Sequence, residues 1–266
     1  MTKRPLGTWI LYVVTVLGFG YLFVPLITIA VFSFNRPAGK FNTSWQGFTF
    51  DNWLNAFDPT DYLDAFGVSI QVAVIACTIA TTLGGLLALA ISRYRIKGGV
   101  AIDLLLVLPL TTPEIVMGAS LFTLFFNQGV GRGFWTIVIA HTLFCVSFVA
   151  LTVKARLRGL DWSLEDAAAD LGSPPLRTFV KVTFPMIVPG IAAAFMLSLA
   201  LSIDDYIITS FVAGSVSTFP REVFDSSKVT IPPQVHVIAT LTMLIAIAII
   251  VAATVAGFRR EAKLRG

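Results

Sequence analysis

Six stretches of this chain, roughly 8–33, 68–92, 100–126, 134–153, 186–212 and 235–258, are long and apolar. Each can supply the ~20 residues that a helix needs to cross the hydrocarbon core of a bilayer. Lipid offers no water to backbone amides, so a spanning segment must bond to itself as a helix or close into a barrel. These runs far exceed the ~10 alternating residues of a barrel strand, which leaves helices. Charge agrees, because only 13% of the 266 residues are charged and 56% are hydrophobic. A soluble domain would carry about a quarter charged residues. The predicted fold class is an all-α membrane protein of six transmembrane helices, one domain over 1–266.

Orientation follows from Lys and Arg, which accumulate on the cytoplasmic side. Lys3 and Arg4, then Arg93, Arg95 and Lys97, then Lys154, Arg156, Arg158, Arg177 and Lys181, then Arg259, Arg260, Lys263 and Arg265 fall on one side. Of the 19 basic residues only Arg36, Lys40, Arg132, Arg221 and Lys228 fall on the other. Both termini are therefore expected in the cytoplasm. The net charge of +4 reflects this asymmetry and not a nucleic-acid patch. The first run is longer than the about 7–15 apolar residues of a signal peptide, so a retained helix is expected. Cys77 and Cys145 lie inside spans, where thiols act as small apolar packers, and neither a disulfide nor a metal site is expected. Pro109 and Pro113 should kink the third span, and Gly84, Gly85 and Gly118 suit close helix approach.

Two outer connections are long. The first, 34–66, carries Trp45, Phe48, Phe50, Trp53, Phe57 and Tyr62 among Asp51, Asp58, Asp61 and Asp64. It suits an interfacial aromatic belt or a surface for an extracytoplasmic partner. The second, 213–233, reads as a loop broken by Pro220, Pro232 and Pro233.

The segment SLEDAAADLGSPPLRTFVKVTFPMIVPGI, 163–191, holds a polar helix–turn–helix elbow at about 160–185. Ser163 is expected to cap its first helix, with Asp166 as the capping-box acid. Glu165 and Asp166 sit in the first turn, where the helix dipole favours negative charge. Gly172 is placed to end the helix. Ser173 is then expected to cap a second helix that opens on Pro174 and Pro175. An eight-residue helix containing Ala167, Ala168 and Ala169 is too short to be stable alone. Packing must hold it, and its small-residue face suits the groove of another protein.

Glu114, Asp204 and Asp205 fall inside spans. A mid-membrane carboxylate costs ~2.5–3.5 kcal/mol on insertion scales, so it faces a cavity or a partner. At 1.5 Å per residue Glu114 lies ~21 Å from Val100 and Asp204 ~27 Å from Met186, both in the middle to outer half of the bilayer. Asp204 and Asp205 are ~100° apart around a helix and point different ways. One account is an acidic lining for a cation, with Tyr206, Phe122, Phe125 and Trp135 offering ring faces to ammonium groups. The other is an internal pair, such as Asp204 with His141 or with an Arg of a neighbouring subunit, and ordinary packing for the aromatics. Asp103 and His236, near span ends, are expected at the interface.

The run Asp166-Ala167-Ala168-Ala169-Asp170-Leu171-Gly172, followed by Phe179, Val182 and Phe184-Pro185, resembles the EAA motif of bacterial ABC-importer permeases. That motif has a Glu, two Ala, a Gly six residues after the Glu and a later Leu-Pro. Here Asp166 stands in the Glu position, Glu165 precedes it, and Phe184 replaces Leu. Leu108-Pro109, Thr112-Pro113-Glu114-Ile115-Val116, His141-Thr142-Leu143-Phe144-Cys145, Ser202-Ile203-Asp204-Asp205-Tyr206-Ile207-Ile208 and Pro232-Pro233-Gln234-Val235-His236 are similar to the PotC-like branch of spermidine/putrescine permeases. The likeness spans about 66–260. It implies a type I importer (MetI-like) fold in the bacterial inner membrane, with a peripheral first helix at 8–33 and core helices within about 66–258. It also implies a complex with a second homologous permease, two ATPase subunits and an extracytoplasmic polyamine-binding protein. Glu165, Asp166, Ala167, Ala168, Gly172 and Pro174 would couple to the ATPase; Glu114, Asp204, Asp205 and Tyr206 would line the substrate path.

The chain contains no G-x-x-x-x-G-K-[ST] segment, so ATP and Mg are expected on the partner ATPases and no cofactor on this chain. A stand-alone secondary transporter or channel for organic cations is the alternative. It predicts inverted repeats, which the sequence does not display, and gives the elbow no purpose. An intramembrane aspartyl enzyme would need a second Asp-bearing span at matching depth, so no enzymatic activity is expected.

Overall fold

The computed structural model describes residues 6–56, 58, 60–94 and 98–265. Lys3, Arg4, Phe57, Arg95 and Lys97, used above for orientation and for the outer connection, lie outside them. Among the described residues four helices are long and apolar enough to cross a bilayer unbroken: Gly7–Phe32, Asp61–Arg93, Phe134–Leu157 and Pro175–Asp204. A fifth arises if the pair Gly99–Thr111 and Glu114–Asn127, bent by 104°, counts as one span. The chain divides into two compact units, one of residues 1–62 with 223–266 and one of residues 63–222.

In the first unit, α1 (Leu6–Phe32) runs against the last helix, Pro233–Arg265. None of the apolar window of α1 is buried by the rest of the chain. Such a helix is solvated by lipid or by another subunit. Past its outer end the chain folds on side-chain amides. Asn35 Nδ2 donates to Asn42 Oδ1 at 2.6 Å, and Asn52 Nδ2 donates to the carbonyls of Ser33 and Asn35. These amides satisfy buried backbone groups that no regular element pairs. The short α2 (Asp51–Leu54) then presents Trp53 to a cluster in which Phe34 stacks on Phe48 and Trp53, at centroid separations of 5.5 and 5.1 Å.

The second unit is organised around α6 (Phe134–Leu157). Ile137, Ala140, His141, Cys145, Val149, Ala150 and Val153 of that helix are all buried. Small residues let its neighbours approach, since helix association in lipid depends on close packing more than on water exclusion. On α3 (Thr60–Arg93), a Cβ added to Gly84 would lie 2.8 Å from the Val146 carbonyl oxygen and 2.9 Å from Val149 Cβ. The neighbouring Gly85 would meet nothing within 4 Å, so only one of the pair serves the contact. Cys77 and Cys145 are free, buried thiols, as expected of packers.

The third span differs from its expectation. Its halves, α4 (Gly99–Thr111) and α5 (Glu114–Asn127), meet in a sharp turn, not a kink. Pro109 is accommodated within α4, whereas Pro113 becomes the N-cap residue of α5. A proline excludes its predecessor from helical backbone, and Thr112 is accordingly extended, at φ −75° and ψ 130°.

After α6 come α7 (Ser163–Asp170) and α8 (Pro175–Thr178), then a π turn over Phe179–Thr183 and α9 (Phe184–Asp204). The run expected to span 186–212 therefore stops at Asp204 and resumes as α10 (Ile207–Val212). The outer connection read as a loop contains a helix, α11 (Phe219–Ser227), in which Pro220 occupies the first turn and causes no break. The chain ends in α12 (Pro233–Arg265).

Candidate functional site: the elbow and the membrane carboxylates

The elbow begins differently from the sequence expectation. Ser163 is the first helical residue and not the cap; its amide donates to Asp161 Oδ1 at 3.0 Å. Asp161 thus captures an orphan N–H two residues on, and the Ser163 hydroxyl together with that amide holds its carboxyl below the usual range. The C-terminus is as expected. Gly172 takes φ +77°. Its amide bonds to the Ala169 carbonyl at 2.8 Å, and Ser173 N–H reaches the Ala168 carbonyl at 3.0 Å. This double bond pattern is a Schellman closure, which needs left-handed backbone that glycine adopts without strain. The second helix is capped by Pro174, not by Ser173, and Pro175 opens it.

The two acids of α7 are used differently. Glu165 Oε2 lies 2.8 Å from Arg93 Nη2, and Oε1 accepts from Arg93 Nη1 at 3.1 Å. Glu165 Oε1 also accepts from the Thr183 hydroxyl. Asp166 is exposed, together with Ala167, Ala169 and Asp170, and Ala168 is half-buried. Beyond the turn Leu171 and Leu176 are 89% and 76% exposed. A small helix flanked by two such leucines is a knob without a socket among the described residues.

The π turn follows from Pro185. A proline supplies no N–H, and its ring crowds the carbonyl four residues back. Here the Phe184 amide reaches back five residues to the Phe179 carbonyl. Single wide turns of this kind recur at functional positions in helices.

In the membrane, the buried histidine has partners on three sides. His141 Nδ1 lies 2.7 Å from Ser202 Oγ, and Nε2 lies 2.9 Å from Thr209 Oγ1 and 3.2 Å from Asp205 Oδ2. Asp205 Oδ2 also accepts from the Thr209 amide and hydroxyl, both at 2.8 Å, so it caps α10 where the span is broken. A carboxylate facing Nε2 favours a proton on that nitrogen, leaving Nδ1 to accept from the Ser202 hydroxyl. The internal pair weighed for Asp204 therefore belongs to Asp205. Asp205 is 5% exposed at its side chain, whereas Asp204 and Glu114 are exposed. Tyr206 sits half-buried at the break.

Glu114 opens α5, which packs on α10, and Asp204 ends α9 just before the break that leads into α10. A Cβ on Gly118 would lie 2.6 Å from Phe211 Cδ2 and 3.4 Å from Ile208 Cα, which marks the crossing of α5 and α10. Glu114 is four positions before that crossing, about 6 Å along the axis of α5, and Asp204 precedes it across the non-helical break at Asp205 and Tyr206. Among the aromatics, the Arg132 guanidinium already lies over Phe122 at 5.0 Å and Phe125 is buried, whereas Trp135 is exposed.

Residues 80–261 match the family described as the inner membrane component of binding-protein-dependent transport systems. The chain belongs to this family. It is 36% identical to the spermidine/putrescine transport system permease protein PotC of Escherichia coli over 88% of both chains. It is 34% identical to PotC of Haemophilus influenzae over 88% of this chain and 90% of that protein. The putrescine permease PotI of Escherichia coli is 36% identical over 87% of this chain and 84% of its own length. The fold is that of type I ABC importer permeases. A bacterial ABC transporter that imports the acidic polysaccharide alginate superposes with a TM-score of 0.66 at 16% identity, over 96% of this chain and 99% of that one. Another structure of an alginate transporter, in complex with a periplasmic protein carrying an alginate pentasaccharide, gives 0.64 at 14% identity over 92% of each chain. This permease is thus a multi-pass membrane subunit of an ABC importer, a transporter and not an enzyme.

Sequence reasoning overlooked several residues that organise the permease. Arg93, counted only as a topology marker, grips Glu165. Arg156 packs its stem on Gly190, where a Cβ would come within 2.6 Å, and its Nη2 reaches the Met186 carbonyl at 3.3 Å. Lys154 pairs with Asp103 across α4 and α6. Gly190, the one glycine of α9, was the visible signal of the Arg156 contact; Asp161 two residues before Ser163 was that of the cap.

Proposed function

We propose that this permease is the membrane subunit through which an ATP-driven importer moves putrescine or spermidine into the cytoplasm. The observation that carries this is the identity of 34–36%, over 87–88% of the chain, to permeases named for those polyamines. The exposed carboxylates Glu114 and Asp204 support it, because acidic groups in a span suit an ammonium cargo and oppose an anion. Together with Tyr206 they line the cation path beside a second homologous permease, while Asp205 holds the broken helix in place. An extracytoplasmic binding protein delivers the polyamine.

The chain acts as one permease domain with six spans and both termini in the cytoplasm. It binds no cofactor itself; ATP and Mg reside on two ATPase subunits. Asp166, Ala167, Ala168, Gly172 and Pro174, with Leu171 and Leu176, form the knob that seats in the ATPase. Glu165 faces inward to its own chain. A stand-alone carrier would have no use for the elbow.

The test is purification of the tagged chain with its partners from the native membrane, and reconstitution into liposomes. Uptake of labelled putrescine or spermidine is expected to require ATP and the binding protein. ATP-independent uptake by the chain alone would overturn the proposal.

A further inference from the structure

The elbow is joined to the rest of the chain in an uneven way. α7 packs against α8 and the π turn that follow it in sequence. To α3, more than seventy residues earlier, its one hydrogen-bonded tie among the described residues is the pair Arg93–Glu165. That pair is two-pronged, with contacts of 2.8 and 3.1 Å, and the Glu165 side chain is 14% exposed. A planar guanidinium meeting a carboxylate on two edges fixes angle as well as distance. The same carboxylate takes the hydroxyl of Thr183, the last residue of the wide turn that leads into α9. Beside the pair lies a cavity of about 150 Å³, bordered by Arg93, Asp166, Ser173 and Thr178, so the elbow is not packed solidly onto α3 there.

We propose that Arg93, Glu165 and Thr183 form a clamp that transmits displacement of the elbow to α3 and α9 together. Arg93 is the positioning residue at the end of a 34-residue helix, and a rigid helix carries a shift of one end to the other. Thr183 passes the same movement into α9 through a turn that has a residue more than an α-helical turn holds. Without the clamp, α7 keeps no hydrogen-bonded tie to α3 among the described residues, and α3 no longer moves with the elbow. This rests on the ATP-driven reading above and deepens it, by naming how the elbow is linked to two of the spans it moves.

The experiment compares uptake per ATP hydrolysed in proteoliposomes of the whole complex. The variants are Arg93→Gln, Glu165→Gln, the two combined, and Arg93→Lys, which keeps the charge but loses the planar fork. Each single Gln variant is expected to co-purify with the ATPase subunits and to lose uptake per ATP by at least about fivefold, the low end of a typical coupling free energy. The combined variant should lose no more than the worse single one, because both remove one contact. Unchanged uptake per ATP in the single variants would overturn the clamp. So would losses that multiply in the combined variant, or failure of even Arg93→Lys to assemble, which would mark a folding contact only. If the unaltered complex shows no ATP-driven uptake, the importer reading fails instead, and the two failures are distinguishable.

Discussion

Gly84 and Gly85 are adjacent, share one helix and are both buried, yet alanine should act on them in opposite directions. At Gly84 the new methyl carbon would sit 2.8 Å from a backbone oxygen of α6 and 2.9 Å from two carbons of Val149. Neither the oxygen nor the Val149 Cβ can swing aside, so α3 and α6 must separate. Overpacking of this kind costs about 1–3 kcal/mol, and a rigid backbone neighbour puts this case in the upper half. Against it stands the gain of about 1 kcal/mol for replacing Gly by Ala within a helix. The net expectation for Gly84→Ala is a loss of about 1–2 kcal/mol. At Gly85 the methyl meets nothing within 4 Å, which leaves only the gain. The two variants should therefore differ by roughly 2–3 kcal/mol in opposite directions around the parent. Thermal stability of the detergent-solubilised complex, followed by fluorescence-detected size exclusion, reads this directly. Equal shifts in the same direction for both would refute the packing of α3 on α6 described above.

Gly172→Val forces a β-branched residue into left-handed backbone, at a cost of about 1–2 kcal/mol or more, and should uncouple ATP hydrolysis from uptake, measured in the same liposomes. Asp205→Asn leaves donors facing the Thr209 amide and should lose about 1–3 kcal/mol, seen as reduced steady-state level in the membrane. Asp204→Asn should accumulate normally but raise the KM for spermidine by about tenfold, the scale of a lost contact to a charged group. Asp166→Ala should weaken co-purification of the ATPase subunits without lowering the amount of permease in the membrane, as judged by quantitative immunoblotting.

Much of this could be read before any coordinates. Apolar length located the four unbroken spans and the bent pair, and the Ser-Leu-Glu-Asp-Ala-Ala-Ala-Asp-Leu-Gly run located the elbow and its glycine closure. The breaks were harder. Hydropathy averages over a window, so the apolar residues from Ile207 to Val212 hid the interruption at Asp205 and Tyr206. Helical geometry required Asp204 and Asp205 to diverge but carried no information on which one met His141. That depends on Ser202 and Thr209 arriving from either side of the break, a tertiary matter. In the second outer connection, Pro220 read as a breaker because its position within a first turn is visible only once the helix is known. The clamp was hidden for the same reason, since nothing local to Arg93 points to a glutamate on the elbow.

The division between residues 204 and 205 has an evolutionary corollary. Asp205 is tied into the architecture by four neighbouring groups, so nearly any exchange there is paid for in folding. Position 204 ends a helix with an exposed side chain, and its replacement disturbs no internal partner among the described residues. If the side chain at 204 meets cargo as proposed, a scaffold arranged in this way can retune that chemistry one residue at a time while its framework stays constant.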